Sequence, residues 1–369
     1  MSHIHVCLVS AQPIPNLTTS LQFRPERVVL LTTREMKERA GMLGDVLRKR
    51  GIAVDYETIG AYDIDNVTEV CERVIRNCGD CKITLNITGG TKIGTLGSFR
   101  SFYTAGKPIY YVDTKNHRIM KVFPEKDQDE QSIDVSIPVR DYLSAYGFRV
   151  ESSPGDDGHI FRRKELTAFL AGAPDIVKEL NYKLHEYGEE SPVPVRIKIG
   201  RNDRLLKLLG RLDGVSAGSR MVKINDPGAL RYLKGCWLEE YVYMTAKALK
   251  VDEVLLNVTG RWITSARYKP KNEFDVLISK GTRLFLISCK TANPNRREGG
   301  DEGIGREFLY ELDSLADNAL GLFGKRMLAS SRRIEDPYVR ERARVLNIDV
   351  VDGKNIITLK ENLRQWLQE

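Results

Sequence analysis

The sequence predicts an α/β protein of two domains. The first is an N-terminal Rossmann-like unit; the second is a C-terminal unit of helix, three strands, helix and strand. Three observations predict it. Over the first 150 of 369 residues, apolar strand-length runs alternate with stretches of helical periodicity, the pattern of a parallel sheet covered on both faces. A polar, glycine-rich stretch near residues 147–160 then interrupts the alternation. Beyond it, two apolar runs meet at a hairpin around Lys280-Gly281, with helix-like segments on either side. A chain of this length can bury two cores.

Taken in order, His3–Val9 and Arg27–Leu31 read as strands, and Arg34–Arg50 as a helix with Met36, Ala40, Leu43, Val46 and Leu47 on one face. Ala53–Tyr56 is a strand, Val67–Ile75 a helix, Lys82–Ile87 a strand ending in Gly89-Gly90, Ile93–Tyr103 a helix and Pro108–Val112 a strand. Lys115-Asn116 turns into Ile119–Phe123. Residues 1–147 are therefore one domain, 148–224 a linker or helical connector, or else a small third unit, with helices near 162–186 and 203–212, and 225–369 the second domain. In the latter a helix over Pro227–Leu249 precedes strands near Glu253–Val258, Glu273–Ser279 and Arg283–Lys290. A helix over Gly305–Ala319, a strand at Arg326–Ser330 and a helical end follow.

Composition narrows the class. The net charge is +7, with most of the excess after residue 150, a modest bias toward phosphate-bearing partners. No run of about 18 apolar residues exists to span a membrane, and the start lacks the basic and apolar regions of a secretory signal. The six cysteines are scattered. No disulfide framework is expected, a reducing cytoplasm fits, and Cys78-Gly79-Asp80-Cys81 reads as a turn before a strand rather than a zinc site.

Two constellations carry chemistry. Ser10-Ala11-Gln12-Pro13 follows the first strand, and Thr88-Gly89-Gly90-Thr91-Lys92 follows the strand at 82–87. Such loops form the ligand crevice of a doubly wound sheet, and a helix N-terminus favours an anion there. Neither GxGxxG nor a Walker loop is present. The second constellation is Asn272-Glu273-Phe274-Asp275 on one strand and Ser288-Cys289-Lys290 on the next. A carboxylate and a lysine at one sheet end suit a divalent cation and an attacking water. Strand alternation puts Glu273 beside Asp275. Glu239, with Glu240 as the weaker choice, can reach them from the preceding helix. Arg261, Arg267, Lys269, Lys271, Arg296, Arg297 and Arg332, with Trp262 and Tyr268 interleaved, offer phosphate contacts and stacking.

The loops at Ser10–Asn16, Leu30–Thr33 and Leu85–Gly97 resemble those of CRISPR-associated Rossmann fold (CARF) domains. That resemblance implies a homodimer binding a cyclic oligoadenylate through Ser10, Gln12, Thr32, Thr33, Gly89, Gly90, Thr91 and Lys92. Gly235-Cys236-Trp237-Leu238-Glu239, the Asp275 strand and the Lys290 strand resemble the PD-(D/E)XK (restriction-endonuclease-like) superfamily, and more closely the CARF-linked ancillary nucleases of type III CRISPR systems. The resemblance implies a cytoplasmic endonuclease acting on DNA or RNA, switched on by cyclic tetra-adenylate. Its Mg²⁺ or Mn²⁺ would be held by Asp275, Glu239 and the Cys289 carbonyl, with Lys290 and Glu273 completing the catalytic set. Ser288 departs from the motif, which has an acid there. A sensor that binds nucleic acid or a partner without cutting is the alternative.

Overall fold

The computed structural model describes residues 2–124, 130–155, 157–188, 191–263, 271–296 and 304–368. Strands β1 (His3–Leu8), β2 (Arg27–Thr32), β3 (Ala53–Thr58), β4 (Lys82–Asn86) and β5 (Ile109–Asp113) pair in parallel. β6 (Arg118–Phe123) and β7 (Glu130–Ser132) add an antiparallel edge, giving the order β3-β2-β1-β4-β5-β6-β7. β1 sits centrally and runs Val6 to Leu8 fully buried, as a strand covered on both faces must.

Helices α1 (Ile14–Phe23), α2 (Lys37–Lys49), α3 (Ile64–Cys78) and α4 (Lys92–Thr104) cover the sheet. The sequence reading leaves α1 as a loop. Pro13 and Pro15 stand at its start, where a missing N–H costs nothing, and Leu17, Thr18, Thr19 and Ser20 are buried. Asp63 and Thr91 cap α3 and α4 through the N–H groups of Asn66 and Gly94. Between α3 and β4 the expected turn is present, but Cys78 and Cys81 are joined as a disulfide. Their Cα atoms lie 5.4 Å apart across the turn, inside the bridging range.

The stretch between the two expected domains carries elements of its own. After α5 (Val139–Ala145), strand β8 (Phe148–Ser152) is the edge of the second domain's sheet. Helices α6 (Gly158–Arg162), α7 (Lys164–Ala171), α8 (Pro174–Leu184) and α9 (Asp203–Leu209) follow, with a small sheet of β9 (Val195–Lys198), β10 (Val215–Ala217) and β11 (Met221–Ile224). Their apolar side chains, Leu170, Leu180, Leu205 and Val222 among them, share one core with Trp237, Val276 and Ile287. A sequence window sees polar turns here; only the partner surface shows what the short apolar runs cover.

The helix expected over 227–249 is divided into α10 (Pro227–Arg231), a π-helical turn Tyr232–Cys236 and α11 (Trp237–Lys247), because Gly235 leaves helical backbone. The six-stranded sheet follows in the order β16-β15-β14-β13-β12-β8. Its strands are β12 (Glu253–Trp262), β13 (Lys271–Lys280), β14 (Arg283–Lys290), β15 (Lys325–Ser330) and β16 (Ile348–Asp352). β8 to β14 are antiparallel and β14 to β16 parallel. α12 (Gly305–Ala319), α13 (Pro337–Val345) and α14 (Leu359–Trp366) complete the chain. The two domains are not separate bodies: Leu17, Tyr142 and Tyr146 pack in one core with Leu277, Leu286, Phe308 and Leu309.

Candidate active site and ligand crevice

The hairpin of β13 and β14 spans the molecule's two sites. At its open end, main-chain pairing stops at Val276↔Ile287. There the Asp275 carboxylate takes over: Oδ2 accepts from the Cys289 N–H at 2.7 Å and from Ser288 Oγ at 3.1 Å. Ser288, standing where the resembling superfamily has an acid, thus donates to Asp275. In an extended strand a residue's N–H and C=O point to the same side, so the Cys289 carbonyl faces the Asp275 side as well.

Glu239 enters from the first turn of α11. Burial, then the negative charges of Asp275 and Glu273, push its carboxyl up to about 7. Burial also raises Asp275, opposed by the Cys289 N–H, Lys290 and Ser288. Glu240, the weaker choice from sequence, turns away: it is buried against Arg163, whose Nε donates to it at 2.8 Å. Glu273 is exposed and acts on the pair through space. Lys290 Nζ lies 2.6 Å from Glu311 on α12 and over the ring of Phe308. A cavity of about 190 Å³ beside Glu239 is lined by Arg231, Lys234, Cys289 and Thr291.

Two half-buried carboxylates, each raised by burial and by a neighbouring negative charge, with a carbonyl beside them, are a donor set for a hard divalent cation, which needs one or two carboxylates and takes water elsewhere. Among the described residues no group of three or more His, Cys, Asp and Glu side chains converges to hold a metal. The residues fit a cation held by Asp275, Glu239 and the Cys289 carbonyl, and no more than two carboxylates supply it.

The closed end of the hairpin reaches the N-terminal domain. A crevice of about 240 Å³ lies over the C-terminal ends of β1 and β4, lined by Ser10, Gln12, Thr88, Gly89 and Gly90. A Cβ on Gly89 would stand 2.4 Å from the Leu8 carbonyl, so only glycine permits this approach. The crevice has a second wall that the sequence did not disclose: Tyr142, Tyr146, Thr282 at the hairpin tip, and Leu322 and Phe323 after α12. Gln12 Oε1 accepts from Tyr146 Oη at 2.8 Å and from the Leu322 N–H at 3.1 Å. Tyr142 Oη donates to the Leu320 carbonyl at 2.7 Å.

Other expected ligand residues sit elsewhere. Thr32 and Thr33 are buried at the end of β2. Thr91 is occupied as the α4 cap and as a donor to the Ala61 carbonyl. Lys92 is exposed on the first turn of α4. Of the basic and aromatic set, Arg261 pairs with Glu151, and the half-buried Trp262 ring meets Phe148 edge to face at 5.1 Å between centroids. Lys271 and Arg296 are exposed, and Arg332 lines a groove with Arg333, Lys178 and Lys354. Arg267, Tyr268, Lys269 and Arg297 lie outside the described residues.

A Rossmann-like domain thus shares one core with a hairpin that carries Asp275 and Lys290 at its open end. Comparison with known families agrees: the Card1 CARF domain matches residues 4–142 and the Card1-like endonuclease domain matches residues 226–369. The chain belongs to the CARF-domain CRISPR nucleases of the Card1 type. No curated protein matches it in sequence. Among solved structures, protein VC1899 from Vibrio cholerae superposes with a TM-score of 0.86 at 23% identity, over 99% of this chain and 98% of its own. Can2 from Sulfobacillus thermosulfidooxidans, solved with cyclic tetra-adenylate, gives 0.79 at 22%, over 99% of each chain. A type III CRISPR defence DNA nuclease activated by cyclic oligoadenylate gives 0.59 at 21%, over 91% of this chain and 46% of its own. These neighbours share the fold. No helix among the described residues is long and apolar enough to cross a membrane.

Proposed function

We propose that this protein is a homodimeric endonuclease whose phosphodiester hydrolysis depends on a divalent cation and is switched on by cyclic tetra-adenylate. The observation that carries the reading is the double wall of the crevice: one side belongs to the sensor loops, the other to the nuclease turn after α12. A ligand seated there touches both domains, so it can favour one arrangement of the nuclease over another through differential contact. The likeness to Can2, solved with cyclic tetra-adenylate, supports the choice of ring. Exposed Tyr62, Ile64 and Leu96 near the start of α3 and on α4 support pairing of two sensor domains.

At the hydrolytic end Asp275 and Glu239 would hold Mg²⁺ or Mn²⁺ with the Cys289 carbonyl. The cation supplies charge stabilisation and a more acidic bound water when present. Ser288 and the Cys289 N–H fix Asp275 through Oδ2. Lys290, once free of Glu311, would orient the attacking water and stabilise the charged phosphorus centre. Glu273 adds to the field on Glu239.

Incubation of purified protein with single-stranded DNA, RNA and supercoiled plasmid, with Mn²⁺ or Mg²⁺ and with or without the ring, tests the reading. Products that require both ring and cation are expected. Intact substrates with every ring size would overturn it, and ring-dependent retention of DNA without products would establish a binding-only sensor instead.

A further inference from the structure

Among the described residues five buried side-chain oxygens lack any partner, and three of them, on Asn257, Thr259 and Asn272, lie on β12 and β13, with Asn257 the one directly opposite Asp275. Asn257 is the unusual one. It stands opposite Asp275, between the pairs Leu256↔Val276 and Val258↔Phe274, and forms no pair itself. Its φ is +49° in mid-strand, a left-handed conformation rare outside turns and found at functional sites when the surroundings enforce it. The flanking register is unbroken, so the departure is confined to the one residue opposite Asp275. Its side chain also hydrogen-bonds the Glu239 carboxylate.

An unpaired buried amide oxygen costs free energy wherever no partner arrives. A carboxamide oxygen is also a hard donor of the kind that divalent cations of this class accept. The site has room for one: Ser288 is committed to Asp275 as a donor, and among the described residues no third acidic side chain converges.

We propose that Asn257 is a further residue of the cation site, its Nδ2 group holding Glu239 and its Oδ1 facing the cation as a neutral oxygen ligand in place of the missing acid at position 288. This rests on the cation-dependent reading above. Asparagine suits the position twice over, since it tolerates the left-handed backbone and carries donor and acceptor on one short side chain.

The test uses the full-length protein without nucleic acid or ring. Mn²⁺ binding is measured by calorimetry and by loss of the free Mn²⁺ paramagnetic signal, alongside thermal melting. Asn257→Gly relieves the backbone and removes the amide, so it melts at or above the wild-type temperature while Mn²⁺ affinity falls about 10- to 100-fold. Asn257→Asp keeps an oxygen ligand and binds Mn²⁺ at least as tightly as wild type. Wild-type affinity in Asn257→Gly overturns the proposal and leaves Asn257 a backbone residue only. Asp275→Ala separates the two readings. If it loses binding while Asn257→Gly does not, only the Asn257 assignment fails; if wild type binds no Mn²⁺, the cation-dependent reading fails with it.

Discussion

The two ends of the β13–β14 hairpin are opposite in chemistry. The tip enters a crevice lined by hydroxyls, an amide, glycine backbone and tyrosine rings, with Asp113 the one charged lining side chain. The open end gathers Asp275, Glu239 and Lys290, with both acids held above their ordinary range. The first surface suits recognition by hydrogen bonding and shape. The second holds two carboxyls above their ordinary range, a tension that a bound cation would relieve. About five strand residues, ~17 Å, separate the tip from Asp275, and about ten residues of α12 and its turn, ~15 Å, separate Leu322 from Glu311. The contrast teaches that the crevice and the acidic end share two elements, the hairpin and α12 with its turn, while sharing no lining residue.

The largest test of that division is Asp275→Ala. Cleavage is expected to fall by about 10²–10³-fold or more, with ring affinity by calorimetry unchanged; weaker ring binding would show that the ends are not chemically independent. Next is Gly321→Ala. Gly321 has φ +62°, and a Cβ there would press on Tyr146 Oη and Gln12 Oε1, a strain of about 1–3 kcal/mol. Ring-stimulated cleavage is expected to drop about tenfold while the ring-free rate stays near wild type. Equal stimulation in both proteins would break the link through this turn.

A smaller effect is expected for Glu311→Gln. The Lys290–Glu311 pair is partly exposed, and such pairs are worth about 0.2–1 kcal/mol. Freeing Lys290 should therefore raise ring-free cleavage by about two- to fivefold, measured by initial rates on single-stranded DNA. A lower rate would make Glu311 a helper of Lys290 rather than its restraint.

The smallest effect is in pH. Glu239 titrates at about 7 in the fold against about 4.5 unfolded, so the folded state binds more protons between these values. Cation-free stability then falls as pH rises through about 4.5 to 7 and levels above. A cation favours the ionised form, so the Mn²⁺-induced rise in melting temperature should be larger at pH 8 than at pH 5. An equal rise at both would detach Glu239 from the cation.

Much of this was legible in the chain. Strands, the Lys280-Gly281 turn and the bounds of α12 follow from periodicity and turn chemistry, since these act within a few residues. The convergence of Asp275 with Lys290 follows from a hairpin's register. Three features did not follow. α1 opens on prolines that look like loop until its buried face is matched to β1. The pairing of β8 with β12 joins residues about 110 apart. Trp262 reads as a free ring but meets Phe148 edge to face.

The sequence by itself determined the two domain types, the acidic strand end and the glycine loops, because local propensity and spacing encode them. Only the tertiary structure decided which carboxylate of the Glu239-Glu240 pair acts on Asp275's neighbourhood, that Ser288 serves as a donor, that Asn257 takes a left-handed backbone opposite Asp275, and that the turn after α12 walls the N-terminal crevice. Those outcomes depend on packing between segments that local preference does not join, from 13 residues apart for Ser288 and Asp275 to 310 for Gln12 and Leu322, where burial and unmet hydrogen bonds set the free energy.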